Sequence, residues 1–588
     1  MEWLSNLLAY PWWYYVLAII LGGIGFVGFV FYRGYSRVRP KPLKGVPSPP
    51  LTHSLLGHPE GMVHPLKHDI RLQFSENFPY ALYQLSLMNH NAIFVNDPVV
   101  AAEIIDTVPT KGPIYGAYRY DQSLPDILAS DGEAYQLRQK YLLPAFQSIQ
   151  LPDLQSDTMT QSLLQYFATS LTQGDASVDL KRLYTLFSLD VICSHYFNYQ
   201  LDAVNGSTQG DRLYSALTIL YDAAATNGIY SFPNARKITP EEITESKDTW
   251  RNFLHTIYQH VQQQVKDYES EHTDSELLHQ SRVDHALIYL QRQQPDIIHE
   301  EEIINEIHQI LRHGHESIVA SLLWMTYALY RNKRVRENVE KAILQHQQTN
   351  EPLTNDNYPE YLENFIKELL RRYPALGNMT VRTINQDVLV FAGIQIPRGS
   401  PMHMHMYSLQ NTARNWVKPK EFLPERWFET PTTPSDEAYE EMKGNYPKCP
   451  FLAASQSEGR VNVYEGVGFQ ENAISYFPFS AGERICAGRQ FALQVIRKVL
   501  YEISRQYRLE AVDGVNENDV GISLHTVIVP SNEKSTTVRV VKIENLKDLI
   551  ENGDKIFSDK VKIDSTKEEV DEGWAEDNDF DFVERKQD

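Results

Sequence analysis

Cysteine is scarce in this chain, with only three residues in 588. Cys193, Cys449 and Cys486 lie far apart, so a disulfide framework of the kind that stabilises small secreted proteins is excluded. Basic residues are also in deficit, because 55 Lys and Arg stand against 76 Asp and Glu, a formal net charge of −21. Phosphate backbones are bound by clustered cations, so this charge balance argues against nucleic acid as the main partner.

The sequence also lacks the features of fibrous and disordered proteins. It has 29 Gly and 31 Pro without a collagen-like period, and 42% of its residues are hydrophobic, which predicts a folded core. We find no internal repeat and no flavin- or dinucleotide-binding fingerprint.

Residues 12–32 (WWYYVLAIILGGIGFVGFVFY) form an uncharged run of 21 residues, close to the roughly 20 needed to cross a bilayer. Aromatic residues stand at both ends, as at membrane interfaces. Only Glu2 is charged before this run, whereas several Arg and Lys follow it. The positive-inside rule then predicts a single-pass anchor, with residues 1–11 in the lumen and the rest cytosolic. A cleaved signal peptide would carry its basic charge before the apolar core.

Three further segments are predicted after the anchor. Residues 33–50 are basic and rich in proline, which indicates a stiff linker. Residues 51–541 have a mainly helical pattern with short strand-like stretches and should form the main folded body. Residues 542–588 contain 16 acidic and 8 basic residues with few large apolar ones, which is typical of a disordered tail.

Within the body, the apolar spacing of residues 300–330 predicts one long helix, and residues 487–505 predict another. Residues 388–397 and 521–530 have the composition of strands or hairpins. Residues 430–476 contain several Pro, Gly and Glu and are predicted to be a surface insertion.

The segment FSAGERICAG, from Phe479 to Gly488, carries the most specific signal in the chain. Its pattern, Phe-x-x-Gly-x-Arg-x-Cys-x-Gly, resembles the haem-binding signature of the cytochrome P450 family. The resemblance extends over residues 51–541. It implies a mainly α fold with small β-sheets, the cytochrome P450 fold, here preceded by one N-terminal transmembrane helix, and haem b as cofactor.

The resemblance gives each fixed position of this segment a role. Cys486 would supply the thiolate that binds the haem iron, and N–H groups of the following helix would stabilise that anion. Gly482 and Gly488 would allow tight turns close to the flat cofactor. Phe479 would pack beside the sulfur and exclude water, and Arg484 would pair with a haem propionate. Cys193 and Cys449 have no comparable context and are interpreted as structural.

Two other positions match propionate-binding residues of the family. Arg382 follows Tyr373-Pro-Ala and corresponds to a strand arginine that holds a propionate. Tyr135 occupies the position of a conserved tryptophan, and Gln139 occupies that of an arginine one turn later. Propionate neutralisation is therefore expected to depend on Arg382 and Arg484.

The segment Gly314-His-Glu-Ser317 resembles the oxygen-binding motif of the family, Ala-Gly-x-Glu/Asp-Thr. The resemblance implies that Gly314 leaves room over the haem and that Glu316 and Ser317 deliver protons during oxygen activation. His313 stands where alanine is usual. It either hydrogen-bonds a haem edge or a polar substrate group, or it is turned into the helix packing.

Glu368 and Arg371 fit the family's Glu-x-x-Arg helix, since residues three apart share a helix face. Arg426 lies in Phe422-Leu-Pro-Glu-Arg-Trp427, which resembles the family's Pro-Glu-Arg-Phe element. The three side chains are expected to form a buried structural network.

The resemblance implies a membrane-bound haem-thiolate monooxygenase of the endoplasmic reticulum, facing the cytosol, that acts on a lipophilic molecule. Electrons would come from NADPH–cytochrome P450 reductase, with cytochrome b5 as a further donor. Two alternatives stay open: a reductase-independent hydroperoxide isomerase or dehydratase, and a non-catalytic haem-binding membrane protein. The standard length of the cysteine loop and the presence of Glu316 and Ser317 favour the monooxygenase.

Overall fold

A computed structural model describes residues 41–546, with gaps at 55, 59–66, 78–79, 89, 113–114, 116–122, 149–157, 173–176, 227–237, 272–281, 355–356, 378–379, 392–393, 417, 429–474, 513–520, 525–526, 531–535 and 544–545. The predicted anchor, most of the predicted insertion and most of the acidic tail lie outside the described residues. No helix within the described part is long and apolar enough to span a bilayer.

The described residues are mainly helical, with small sheets. The helices are α1 (Lys67–Asn77), α2 (Pro98–Thr107), α3 (Gly132–Ser148), α4 (Thr158–Thr172), α5 (Leu180–Phe197), α6 (Thr208–Thr226), α7 (Pro240–Glu271), α8 (Val283–Gln293), α9 (Glu300–Arg331), α10 (Lys333–Thr349), α11 (Glu360–Arg372), α12 (Met406–Asn411) and α13 (Arg489–Gln506). The strands are β1 (Leu82–Leu87), β2 (His90–Val95), β3 (Ser177–Asp179), β4 (Thr380–Thr383), β5 (Val388–Phe391), β6 (Ile394–Pro397), β7 (Pro401–Met404), β8 (Tyr507–Ala511), β9 (Gly521–Leu524), β10 (Val527–Pro530) and β11 (Thr537–Lys542). Short 3-10 turns occupy Pro424–Trp427 and Gly482–Arg484.

The long helix α9 is the central element of the core. Its 32 residues correspond to a length of about 48 Å at 1.5 Å per residue. Three glutamates in its first turn and Arg331 in its last complement the helix dipole. It packs against α5, α7, α11, α13 and strand β10, and its isoleucines and leucines are buried in the largest apolar cluster. The predicted helix over residues 300–330 is confirmed.

The strands form a four-stranded sheet, a three-stranded sheet and two hairpins. Their orders are β1-β2-β7-β4, β3-β11-β8, β10-β9 and β5-β6. Strands β2 and β7 run parallel, with Phe94 opposite His403, whereas β4 runs antiparallel to β7, with Arg382 opposite Met402. The hairpins confirm the strand predictions for residues 388–397 and 521–530, and α13 begins two residues later than predicted.

A buried ionic cluster joins α3 to the first half of α9. Arg138 Nη2 lies 2.5 Å from a Glu302 carboxylate oxygen, and its Nε donates to Glu306 Oε1 at 2.6 Å. Burial raises the pKa of Glu306 to about 8. The charge of Arg138 acts against this rise, and repulsion from Asp126 adds to it. The loop before α3 is held by the same cluster, because the Ile127 N–H donates to Glu306 and the Gln309 amide donates to Asp126.

This cluster predicts a pH-dependent effect of Glu306→Gln on stability. Because the folded state holds the Glu306 proton up to a pKa of about 8, the native protein loses stability as the pH rises from the unfolded pKa of about 4.5 through that value. The glutamine side chain does not ionise, so the variant does not lose stability in this way. Its free energy of unfolding relative to wild type should increase by about 1–3 kcal/mol between pH 6 and pH 9, measured by urea denaturation. A pH-independent difference would contradict the assignment.

Candidate functional site

The loop between Phe477 and Gly488 is shaped by local hydrogen bonds. The Ser480 N–H donates to the Phe477 carbonyl at 2.8 Å, and the Cys486 N–H donates to the Phe479 carbonyl at 3.0 Å. Gly482 has a φ of +65°, and a Cβ there would lie 3.2 Å from the carbonyl oxygen of Ile105 on α2. The left-handed turn and the close approach of α2 both require glycine at position 482.

The side chain of Cys486 is solvent-accessible and carries a free thiol. Enough protein surrounds it that desolvation raises the pKa of the thiol, while a backbone hydrogen bond from Gly488 and the charges of Lys111 and Arg489 act in the opposite direction. Gly488 is the N-cap of α13, so the start of that helix favours a negative sulfur. The sequence predicts a lowered thiol pKa, but desolvation outweighs the helix and the net pKa of Cys486 is raised. Cys193, in contrast, lies buried on α5.

Three basic side chains are buried in this region: Lys111, Arg382 and Arg484. The charge of Lys111 acts on the Cys486 thiol, and the charges of the two arginines act on Lys111. Burial, and then repulsion from Arg382 and Arg484, lowers the pKa of Lys111 to about 7. Burial also lowers the pKa values of both arginines, and repulsion from Arg484 lowers that of Arg382 further. The ion pair of Arg484 with Asp131 offsets part of this buried positive charge. Buried charge that is not offset is unfavourable, so the arrangement is suited to receive further negative charge.

Arg484 is oriented by α3 and the residues before it. Its Nη2 donates to the Ser130 carbonyl and to Asp131 Oδ1, each at 2.8 Å. Its guanidinium lies 3.3 Å from the ring centroid of Tyr135, whose hydroxyl donates to the Glu483 carbonyl at 2.8 Å. The Tyr135 ring therefore stacks against the Arg484 guanidinium. The Tyr135 hydroxyl holds the cysteine loop through its hydrogen bond to Glu483.

These residues fit the haem that the family resemblance implies. Within the described part of the chain, Nε of Arg382 and Nε and Nη1 of Arg484 are buried and make no hydrogen bond. Donors of this kind match carboxylate acceptors such as the two propionates of haem. A thiol whose anion is supported by a helix N-terminus supplies an iron ligand. The donor set is thus complementary to the iron, and to the anionic edge, of this cofactor.

The oxygen-motif segment of α9 lies near the same cations, since Lys111 influences the pKa of His313 as well as that of Cys486. The Ser317 hydroxyl donates to the carbonyls of His313 at 2.8 Å and Gly314 at 3.2 Å. These bonds within the helix are the type expected to weaken its regular backbone pattern.

Gly314 lies where α9 meets α5. A Cβ at this position would lie 2.8 Å from Cδ1 of Ile192 on α5. The missing side chain therefore allows α5 to pack closely against α9, a contact that the motif alone does not reveal. The room that Gly314 would leave over the haem stays a prediction.

Glu316 is buried, and its carboxylate lies on a different face of α9 from Ser317. Its Oε1 lies 3.4 Å from Arg312 Nε, one turn earlier. The structure therefore separates the two polar groups by the approximately 100° between neighbouring helix residues. His313 is neutral at physiological pH, because burial lowers its pKa to about 3; its contact with a haem edge or substrate stays a prediction.

The structure brings Glu368, Arg371 and Arg426 together in a buried network. Arg371 donates through Nε and Nη2 to both carboxylate oxygens of Glu368, each at 2.9 Å. Arg426 Nε lies 3.0 Å from Glu368 Oε2. Burial alone would raise the pKa of Glu368, but the charges of Arg371 and Arg426 outweigh it and lower the pKa to about 2.

Sequence reasoning missed three residues of these sites. Lys111 and Asp131 come from segments without a motif, and Asp131 accepts hydrogen bonds from the backbone N–H groups of Lys111 at 2.8 Å and Gly112 at 2.9 Å. Trp427 donates its indole N–H to Glu368 Oε2 at 3.0 Å. The last was detectable, because tryptophan replaces the phenylalanine of the family element and adds a donor.

Sequence comparison identifies relatives over most of the chain. Residues 47–537 match the family model described as "Cytochrome P450". "Cytochrome P450 97B2, chloroplastic" from Glycine max is 24% identical, over 76% of this chain and 79% of the relative. "Cytochrome P450 monooxygenase LUC2" from Fusarium sp is 25% identical, over 69% and 72%. "Cytochrome P450 4p1" from Drosophila melanogaster is 22% identical, over 74% and 78%.

Solved structures show the same fold. The "Crystal structure of cytochrome P450DA heme domain" superposes with a TM-score of 0.58 and covers 84% of this chain and 97% of that chain. Its sequence is 19% identical, so this similarity concerns the fold.

Proposed function

The chain belongs to the cytochrome P450 family, whose members bind haem through a cysteine thiolate and act as monooxygenases, and we propose that it inserts one atom of O₂ into a lipophilic small molecule. The observation that supports this most directly is the accessible Cys486 beside Lys111, Arg382 and Arg484. We propose NADPH–cytochrome P450 reductase as the electron donor, with cytochrome b5 as a second, because the sequence has no flavin fingerprint of its own.

In this proposal the bound haem supplies the redox chemistry with oxygen. Cys486 would bind the iron as a thiolate, while Phe479 and the glycines of its loop keep the backbone close to the cofactor. Arg382, Arg484 and Lys111 would hold the propionates. Tyr135 would keep the Arg484 guanidinium in place, since its ring lies under it at 3.3 Å.

Proton supply would depend on α9. The Glu316 carboxylate is buried and lies 3.4 Å from Arg312 Nε, and it would hold the proton to be delivered. The Ser317 hydroxyl, which now donates to the helix backbone, would receive the proton and pass it on.

Replacing Glu316 with glutamine tests this role. Product formation driven by NADPH should fall about 100-fold, at the low end for loss of a general acid. The change in the ferric absorption spectrum on substrate binding should persist, because the amide has the same shape. An unchanged rate would contradict the assignment. Glu302→Gln is the control. Glu302 lies more than two helix turns from Glu316 and is paired with Arg138, so this variant shows whether removing any buried carboxylate of α9 lowers the rate.

We further propose that residues 12–32 anchor the protein in the endoplasmic reticulum membrane with the catalytic body in the cytosol. The uncharged run and the basic residues after it support this topology. A lipophilic substrate would then reach the site from the bilayer. Several relatives carry "chloroplastic" in their names, so fractionation of cells expressing the full chain, with an N-glycosylation assay at Asn205, tests both the compartment and the orientation.

The function is tested with the purified full chain in detergent. Substrates are first selected from lipid, sterol and terpenoid libraries by the ferric spectral change on binding, then incubated with reductase and NADPH. We expect a product that contains one oxygen from O₂. Turnover of a fatty-acid hydroperoxide without reductase, and no NADPH-driven product, would instead favour the isomerase or dehydratase. Haem binding without either reaction would favour the non-catalytic alternative.

A further inference from the structure

The turn that precedes α3 connects the long helix α9 with Arg484. At one end of this turn, the Gln309 amide on α9 donates to Oδ2 of Asp126 at 2.9 Å. At the other end, Nη2 of Arg484 donates to the Ser130 carbonyl at 2.8 Å. Residues 126–131, the 126–131 turn, therefore form a short bridge between α9 and Arg484.

Asp126 braces the 126–131 turn from within. Its side chain is fully buried, and Oδ1 accepts from the Ala129 N–H at 2.6 Å. The Asp126 N–H donates to the Ser130 hydroxyl at 2.9 Å, and the Ser130 N–H donates back to the Asp126 carbonyl at 3.1 Å. Aspartate side chains commonly close turns in this way. Together these bonds fix the position of Ser130, whose carbonyl accepts from Arg484.

Two amide side chains on one face of α9 hold Asp126 against that helix. Gln309 donates to its Oδ2 at 2.9 Å, and Nδ2 of Asn305 lies 3.4 Å from the same oxygen. Asn305 also donates to the carbonyls of Leu124 and Pro125, each at 3.3 Å. Residues four apart share a helix face, so α9 presents both amides to the start of the turn. A buried carboxylate is stable only when it is hydrogen-bonded, and here the donors come from the turn and from α9.

The Arg484 guanidinium needs this bridge because its other support leaves one rotation open. The Tyr135 ring stacks on it at 3.3 Å, and stacking restricts the plane of the guanidinium. Rotation within that plane is fixed by hydrogen bonds at its edge, here from Nη2 to the Ser130 carbonyl and to Asp131 Oδ1, each at 2.8 Å. Both acceptors belong to the 126–131 turn. The turn therefore sets the direction in which the buried Nε and Nη1 of Arg484 point.

We propose that Asp126 is a positioning residue for the haem cofactor: it ties the 126–131 turn to α9 and so keeps Arg484 in the orientation that receives a propionate. The inference rests on the propionate role that the proposed function gives to Arg484. Asp126 acts through Arg484, so haem retention should depend on a carboxylate whose hydrogen bonds go to the turn and to α9.

The test measures how fast haem leaves the haem-loaded full chain. Excess apomyoglobin captures the released haem, and the rate follows from the change in absorption. In Asp126→Ala the turn loses its brace and its tie to α9, so Arg484 is held less firmly. We expect haem release about tenfold faster than in wild type, the low end of the effect of groups that orient a metal-site ligand. Asp126→Asn keeps an acceptor oxygen for the Ala129 N–H and should release haem within about twofold of the wild-type rate.

Asp190→Ala is the matched control. This buried carboxylate braces a different segment, since it accepts from the N–H groups of Ala203 at 2.7 Å and Val204 at 2.9 Å between α5 and α6. Its removal should lower the urea midpoint of unfolding as Asp126→Ala does. Its haem release should stay within about twofold of wild type, because sites without shared partners act independently. This contrast separates a positioning role from a loss of stability.

Two further variants test the path from α9 to Arg484. Gln309→Leu leaves the bonds within the turn intact and unties the turn from α9, so it should release haem faster than wild type but more slowly than Asp126→Ala. It also tests the proposal if Asp126→Ala does not fold. Arg484→Ala should release haem at least as fast as Asp126→Ala. The double variant of Asp126→Ala and Arg484→Ala should be no faster than Arg484→Ala, because Asp126 acts through Arg484.

Wild-type haem release in Asp126→Ala or in Gln309→Leu would overturn the inference. Equal acceleration in Asp126→Ala and Asp190→Ala, or additive effects in the double variant, would overturn it as well. Wild-type haem release in Arg484→Ala would instead contradict the propionate role of Arg484 in the proposed function, and this result is distinct because it does not depend on Asp126.

Discussion

Cys486→Ala is expected to purify with almost no haem. The side chain at this position is the one accessible thiol among the described residues, and a backbone hydrogen bond from Gly488, at the start of α13, favours its anion. Removing a group that only orients a metal ligand typically lowers metal affinity about 10–100-fold. Loss of the ligand itself should therefore lower haem affinity by more than about 100-fold. The measurement is haem extracted per polypeptide after gel filtration.

Cys193→Ala provides the matched control, because it removes the same atom from a buried thiol on α5. It should keep the haem content of wild type and show only the small loss of stability that a reduced core side chain produces. Equal haem content in both variants would contradict the assignment of Cys486 as the ligand.

Glu368→Ala should strongly destabilise the fold. The carboxylate is fully buried and accepts hydrogen bonds from Arg371, Arg426 and Trp427. Its removal leaves Arg371, also fully buried, without its counterion, at about 3–5 kcal/mol. Typical domains are stable by about 5–15 kcal/mol in total. The loss is measured as soluble yield and as the midpoint of urea unfolding.

Glu360→Ala makes the same substitution at an exposed position in the first turn of the same helix. Its effect should lie within about 0.5 kcal/mol. A similar midpoint for the two variants would contradict the structural role of Glu368.

The parts of the site that could be predicted from sequence are those encoded by short local patterns. Phe479 to Gly488 fixes its own loop through hydrogen bonds between neighbours, such as that from Cys486 to Phe479. Glu368 and Arg371 share a helix face because they are three residues apart. The long helix α9 was predictable from the spacing of its isoleucines and leucines.

The parts that escaped prediction depend on contacts between distant segments. Asp131 holds both Arg484 and the backbone at Lys111, and neither segment signals the other in the sequence. A hydrogen bond between Tyr221 and His315 joins residues 94 positions apart. The direction of Gly314 toward Ile192 follows from how α5 crosses α9. Each needs the tertiary arrangement, which propensities and motifs do not contain.

The same distinction applies to Arg138. In the sequence, Arg138 is next to Gln139, the position that an arginine usually fills in the family. Neighbouring helix residues point about 100° apart, so Arg138 is predicted to face a different direction from Gln139. The structure shows where it points: to Glu302 and Glu306 on α9. Periodicity predicts that Arg138 faces a different direction from Gln139, but only packing reveals its partners.

The most direct test is the absorption spectrum of the purified, reduced protein under carbon monoxide. Sulfur ligation from position 486 predicts the strongly red-shifted Soret band of a thiolate-bound haem, and Cys486→His should move that band to the position typical of a nitrogen ligand. A wild-type spectrum of the nitrogen-ligated kind, or one that the histidine substitution leaves unchanged, would contradict the account.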